Sequence, residues 1–190
     1  MTQYLFWAAC GALLIVLLSQ IPVSHSVNIG HWDAAYVQGF HEAELPASAD
    51  GVARWSRSSS VLLLPQAGMP GTVALRLRGP SNAPPSALTL LLNGEQELAR
   101  YTLDDQWTTI HVTVAGGWLK ASDSFIELRS STSTLPDGRE VGVLLDHVYY
   151  SVGPGPVWPY PSQVVLGALV GLLVGILEPE VRGQGSGVRG

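Results

Sequence analysis

The sequence predicts an all-β domain, an antiparallel jelly-roll or β-sandwich of about eight strands, flanked by an N-terminal and a C-terminal transmembrane helix. Three observations predict it. Period-two alternation recurs between residues 51 and 152 with no convincing helix between the segments. Residues 87–102, ALTLLLNGEQELARYT, place Asn93 and Gly94 between two strand-like arms. An uncharged apolar run stands near each end of the chain. Alternation sets one face of each strand on a core, and Asn-Gly favours the type I′ turn, whose two positive-φ residues match the twist of a hairpin. Sandwiches and jelly rolls accommodate such a set while protecting its edges.

Residues 4–21, YLFWAACGALLIVLLSQI, carry no charge; as a helix they rise about 27 Å, close to a hydrocarbon core of about 30 Å. Ser24 and Ser26 are small residues at minus three and minus one of a cleavage point before Val27, while the charged start of a secretory signal is missing. An uncleaved anchor and a cleaved signal therefore both fit residues 1–26, and both export the chain beyond Pro22. Residues 27–49 are irregular and aromatic, with one short strand expected near 34–38. Strands are then expected at 51–57 and 59–64, with a proline break at 65–70.

Residues 72–78, TVALRLR, alternate most cleanly: Val73, Leu75 and Leu77 on one face, Thr72, Ala74, Arg76 and Arg78 on the other. The hairpin comes after a proline-rich loop at 79–86. Further strands are expected at 107–114, 124–130 and 141–152, so that residues 27–152 form an extracytoplasmic domain. Residues 153–163 read as a Pro/Gly linker with Trp158 and Tyr160 suited to a bilayer interface. A second transmembrane helix is expected at 164–177 and a polar tail at 178–190. Gly167, Gly171 and Gly175 recur every four residues there, a helix-packing stripe, and Ala8 and Ala12 form a similar one in the first run.

Charge and cysteine exclude several classes. Residues 28–152 hold eight basic and thirteen acidic residues, the wrong sign for a nucleic-acid face. Cys10 is the single cysteine and lies in the apolar run, so no disulfide forms within the chain. The tail reads G-x-G-x-x-G at 185–190, but a dinucleotide site needs that loop between a strand and a helix. His25, His31 and His41 beside Asp33, Glu42 and Glu44 lack metal-ligand spacing; no metal or other cofactor is expected. Glycan hydrolysis needs two opposed carboxylates, and nothing selects a pair among Asp33, Glu42, Asp104 and Asp146. A non-catalytic role is expected.

A binding role has more behind it. Sugars present apolar ring faces to aromatic side chains and hydroxyls to polar ones. Trp55 and Trp107, set among strand residues, read as core, since aromatics bury large areas in any sandwich. Trp32, Asp33, Tyr36 and Phe40 lie in irregular chain and are the candidate ligand-binding residues.

Residues 28–44 (N-I-G-x-x-D-x-x-Y-V-x-G-F-H-x-x-E), 53–57 (A-R-W-S-R), 75–79 (L-R-L-R-G), 91–94 (L-L-N-G), 127–132 (E-L-R-S-S-T) and 142–148 (G-V-L-L-D-H-V) resemble the extracytoplasmic galactose-binding-like β domain of bacterial multi-pass membrane glycosyltransferase-like proteins. The resemblance implies a jelly roll over about 27–152 on the extracytoplasmic side of the bacterial cytoplasmic membrane. The bilayer, a glycan and a multi-pass membrane protein are its implied partners. Such relatives continue into many membrane helices, so this chain reads as a truncated product or as an accessory subunit. The functional expectation is a membrane-anchored carbohydrate- or envelope-polymer-binding module; the alternative is a structural subunit of a glycosyltransferase-like protein.

Overall fold

A computed structural model describes residues 2–21, 24–45, 51–64, 70–115, 124–152 and 159–184. In chain order the elements are α1 (Thr2–Leu18), β1 (Ser24–Asn28), β2 (Val37–Phe40), β3 (Arg54–Leu63), β4 (Gly71–Arg78), β5 (Ser86–Leu92), β6 (Gln96–Leu103), β7 (Thr108–Val114), β8 (Phe125–Ser130), β9 (Ser133–Thr134), β10 (Glu140–Val141), β11 (Leu144–Val152) and α2 (Pro161–Gln184). Trp118, the linker around Trp158 and the tail from Gly185 lie outside the described residues.

The strands form two packed antiparallel layers. The front sheet runs β1-β11-β4-β7 and the rear sheet β6-β5-β8-β3-β2, with Arg54 and Trp55 at the start of β3 pairing with β11 and joining the two. Alternation decides what lies between the sheets. Val73, Leu75 and Leu77 of β4 and Ile110 and Val112 of β7 meet Leu88, Leu90, Ile126, Leu128 and Leu62 from the rear. Each of these leucines contributes roughly 1.5–3 kcal/mol by leaving water. A second, smaller cluster of Ala53, Trp55, Val141 and Leu144 closes one end of the sandwich, with Trp107 and Leu135 against it.

Local details differ from the sequence expectation for physical reasons. The two strands expected at 51–57 and 59–64 are one, because β3 is continuous while changing partners from β11 to β8. Asn93 and Gly94 have φ of 53° and 75°, as the turn requires. Yet Leu92 pairs with Gln96, so the connection is three residues long. Asn93 is drawn to β8 instead, its side-chain oxygen accepting the Phe125 N–H at 3.0 Å. β1 carries no strand pattern of its own. It starts at Ser24, ahead of the expected domain boundary, and is held by pairing with β11 from Ser24–Ser151 to Asn28–His147.

The flanking transmembrane helices are corrected. Among the described residues no helix is long and apolar enough to cross a membrane. α1 has 17 residues, fewer than the roughly 20 a membrane-spanning helix takes. α2 has 24 residues, but Glu178, Glu180 and Arg182 fall in its last third. The placement in the bacterial cytoplasmic membrane rested on those spans and is withdrawn with them.

The two helices instead pack on each other. A Cβ added at Gly175 would stand 2.7 Å from the Trp7 ring; one at Gly171 would meet the Trp7 carbonyl and Gly11; one at Gly167 would meet Ile15 and Gly11. Contacts that descend α2 as they ascend α1 make the pair antiparallel. The α2 glycines therefore allow close backbone approach within this chain, against Trp7 and Gly11.

Two outcomes check this architecture. Leu90→Ala, at a fully buried position, should cost about 2–5 kcal/mol in urea denaturation. Gly171→Leu should separate the helices and abolish amide-exchange protection beyond fraying in α1 while leaving β-sheet protection intact.

Candidate functional site

The outer face of the front sheet is a polar platform in register across four strands. One row reads Asn28, His147, Arg76, Thr109 and the next Ser26, Tyr149, Ala74, His111. The third row is Ser24, Ser151, Thr72, Thr113. Paired residues share a face, and the alternate residues Val27, Val148, Leu75 and Ile110 are the ones in the core. Tyr149 is 43% exposed in the middle of the platform, beside Ala74, whose small side chain leaves its ring uncovered. Ser26 Oγ lies 2.7 Å from His147 Nε2. No carboxylate bonds the other nitrogen of that ring among the described residues, so the pair is not oriented as a nucleophile and base are.

Beyond the first row the chain leaves β1 and forms the loop that carries Trp32. This side chain is 98% exposed, and its φ is 57°, a left-handed conformation that bulky residues adopt only when their surroundings enforce it. The enforcing group is the next residue. Asp33 is 1% exposed, and its carboxylate accepts the Gly30 N–H at 2.7 Å and both Nε and Nη2 of Arg54, at 2.7 and 2.9 Å. Arg54 Nη1 also donates to the His41 carbonyl at 3.1 Å. The fork geometry of arginine suits such bidentate pairing. Burial acts to raise the Asp33 carboxyl, but the bonds from Arg54 and Gly30 outweigh it and hold the group below its ordinary value.

The four candidate ligand residues are thus separated by the fold. Trp32 faces solvent, and Asp33 turns inward as the pin of its loop. Phe40 packs on the core. Tyr36 lines a small apolar cleft with His25, Ile29, Leu63 and Tyr150. Burial, with Tyr160 as the lesser cause, pushes the Tyr150 phenol up to about 12, so this phenol carries no charge at neutral pH.

Sequence reasoning passed over a second feature. At the platform's end Trp107 has the guanidinium of Arg76 4.9 Å and that of Arg78 5.1 Å from its ring centroid, within cation–π range. Asp146 is paired with Arg76 and sits where the β11–β4 register shifts. The available signal was Trp107 opening a strand next to one bearing two outward arginines. Among the described residues no group of His, Cys, Asp or Glu is arranged to hold a metal ion.

No family model matches the sequence, and no curated protein matches it. Solved structures with a similar fold include the xylan-binding CBM22-1 domain from Paenibacillus barcinonensis (13% identity, TM-score 0.47, covering 69% of this chain and 95% of that one). A carbohydrate-binding module of a Cellvibrio mixtus lichenase, in complex with cellotriose, is 14% identical with a TM-score of 0.41, covering 68% and 98%. The K1 cleaved adhesin domain of Lys-gingipain from Porphyromonas gingivalis is 12% identical with a TM-score of 0.47, covering 70% and 99%. At these identities no residue role transfers to this chain.

The buried pair has a pH signature. The folded Asp33 value lies below the unfolded one of about 3.9; its stabilisation is complete above that value and is lost as pH falls through the folded one. Asp33→Ala should therefore cost about 2 kcal/mol at neutral pH, where it leaves the half-buried Arg54 guanidinium unpaired. The gap to the native chain should narrow below about pH 4 in denaturant titrations at stepped pH.

Proposed function

We propose that the β-sandwich from Ser24 to Val152 is a non-catalytic carbohydrate-binding module whose ligand lies on the front platform and against Trp32. The observation that carries the reading is Trp32 itself. A tryptophan 98% exposed at a left-handed φ contributes almost nothing to the core. The ion pair between the buried Asp33 and the half-buried Arg54 nevertheless holds its loop. Preorganising an exposed aromatic cuts the entropy lost on binding, and an indole offers a sugar ring a flat apolar face. Rows of Ser, Thr, Asn and His, with Tyr149 among them, supply the donors and acceptors that sugar hydroxyls need.

A second reading, an accessory subunit of a larger glycosyltransferase-like protein, is favoured by the outer faces of the helix pair, where Leu5, Phe6, Leu13, Leu166, Leu169 and Leu173 are all exposed. It gives no role to the preorganised Trp32.

The experiment is equilibrium binding of the full chain to a panel of neutral and acidic glycans. Trp32→Ala should weaken every glycan interaction by about tenfold or more, as loss of a base-stacking aromatic does elsewhere, with no fall in melting temperature. Saturable binding that is indifferent to this change, or binding to no glycan, would exclude the reading.

A further inference from the structure

Most of the described arginines have a carboxylate beside them. Arg54 holds Asp33, Arg76 holds Asp146, Arg100 holds Glu97, Arg129 holds Glu127, and Arg139 holds Glu44 and Asp137. Arg57 is exposed to water. Arg78 differs: it is 9% exposed, no ion pair reaches it among the described residues, and its Nε has no hydrogen-bond partner. A buried charge left in that state is costly unless an anion completes it.

The neighbourhood repeats the pattern. Among the described residues the buried side-chain polar atoms without a partner are Arg78 Nε, Trp107 Nε1 and Ser86 Oγ, and all three border the turn at 103–107. Ser86 pairs with Leu103, Gly79 next to Arg78 donates its N–H to the Asp104 carbonyl at 2.6 Å, and Trp107 ends the turn beside the Arg78 guanidinium. Asp146 is ion-paired with one of the two arginines about the Trp107 ring, and among the described residues no carboxylate, Asp104 and Asp105 of the turn included, is ion-paired with the other. The Arg76 side chain, 41% exposed, brings the cluster to the surface at the end of the platform.

We propose that Arg78, with Trp107 and Arg76, is an anion subsite that accepts the carboxylate of an acidic sugar, so that the glycan bound by the platform bears uronate groups. The inference rests on the carbohydrate-binding reading and narrows its ligand class. A sulfate ester has the same single negative charge, spread over three tetrahedrally placed oxygens. Arginine recognises either through paired N–H donors.

The test measures binding of the full chain to oligogalacturonate, to carrageenan oligosaccharides, which carry sulfate esters and no uronate, and to neutral xylo-oligosaccharides of matched length, at low and high salt. The native chain should prefer oligogalacturonate, with affinity falling as salt rises. Arg78→Met should weaken that binding by roughly 10- to 100-fold, the range for a lost charge-assisted hydrogen bond. Its effect on any neutral glycan should be far smaller, and its melting temperature should be no lower than that of the native chain. A preference confined to the carrageenan oligosaccharides would overturn the carboxylate in favour of the sulfate. A lowered melting temperature with unchanged glycan preference would make Arg78 a structural cation and overturn the subsite. Binding of neutral glycans alone would overturn the subsite while leaving the platform standing, whereas binding of none would remove both.

Discussion

The contact on which the functional geometry depends is the ion pair between Asp33 and Arg54. It ties the loop after β1 to the start of β3, where that strand passes from the front sheet to the rear. One bond set therefore fixes how the sheets meet at that edge and which way Trp32 points. A buried pair seldom adds much net stability over an apolar substitute; what it supplies here is a single conformation for a residue whose backbone would otherwise avoid it.

The two faces of the sandwich divide the remaining roles. On the rear sheet, charge is closed upon itself: Glu127 accepts from Arg129 and from Ser59, and Arg100 meets Glu97. The front sheet is different. Its outer rows are mostly hydrogen-bonding residues around Tyr149, with Arg76 paired to Asp146, and they are bounded at one end by Trp107 beside Arg78, which has no ion pair among the described residues. In the proposed reading the exposed Tyr149 ring and the polar side chains around it serve recognition, and the rear face is a solvated wall.

Much of the sandwich was legible because alternation reports burial. Val73, Leu75 and Leu77 fall on the core face as their spacing requires, and Asn93-Gly94 takes the positive φ values that its composition favours. What alternation could not report is tertiary. β1, with the sequence SHSVN, has no apolar period and becomes a strand only because β11 offers it a free edge. Arg78 sits on the outward face, as the pattern says, yet is buried among neighbours from other segments. Trp32 was legible as an aromatic in irregular chain, but its exposure depends on an acid whose partner lies 21 residues away. The apolar ends read as spans because composition does not show where a helix stops. The helices stop too soon, or turn polar too soon, and their glycines meet each other.

The most direct measurement is a glycan titration of the nitrogen-labelled full chain, followed through the indole N–H resonances of its six tryptophans. The Trp32 and Trp107 signals should shift together with saturating glycan while the buried Trp55 signal stays in place. Shifts confined to other tryptophans, or a set of indole signals unmoved by bound glycan, would contradict a ligand that spans the platform from Trp32 to Trp107.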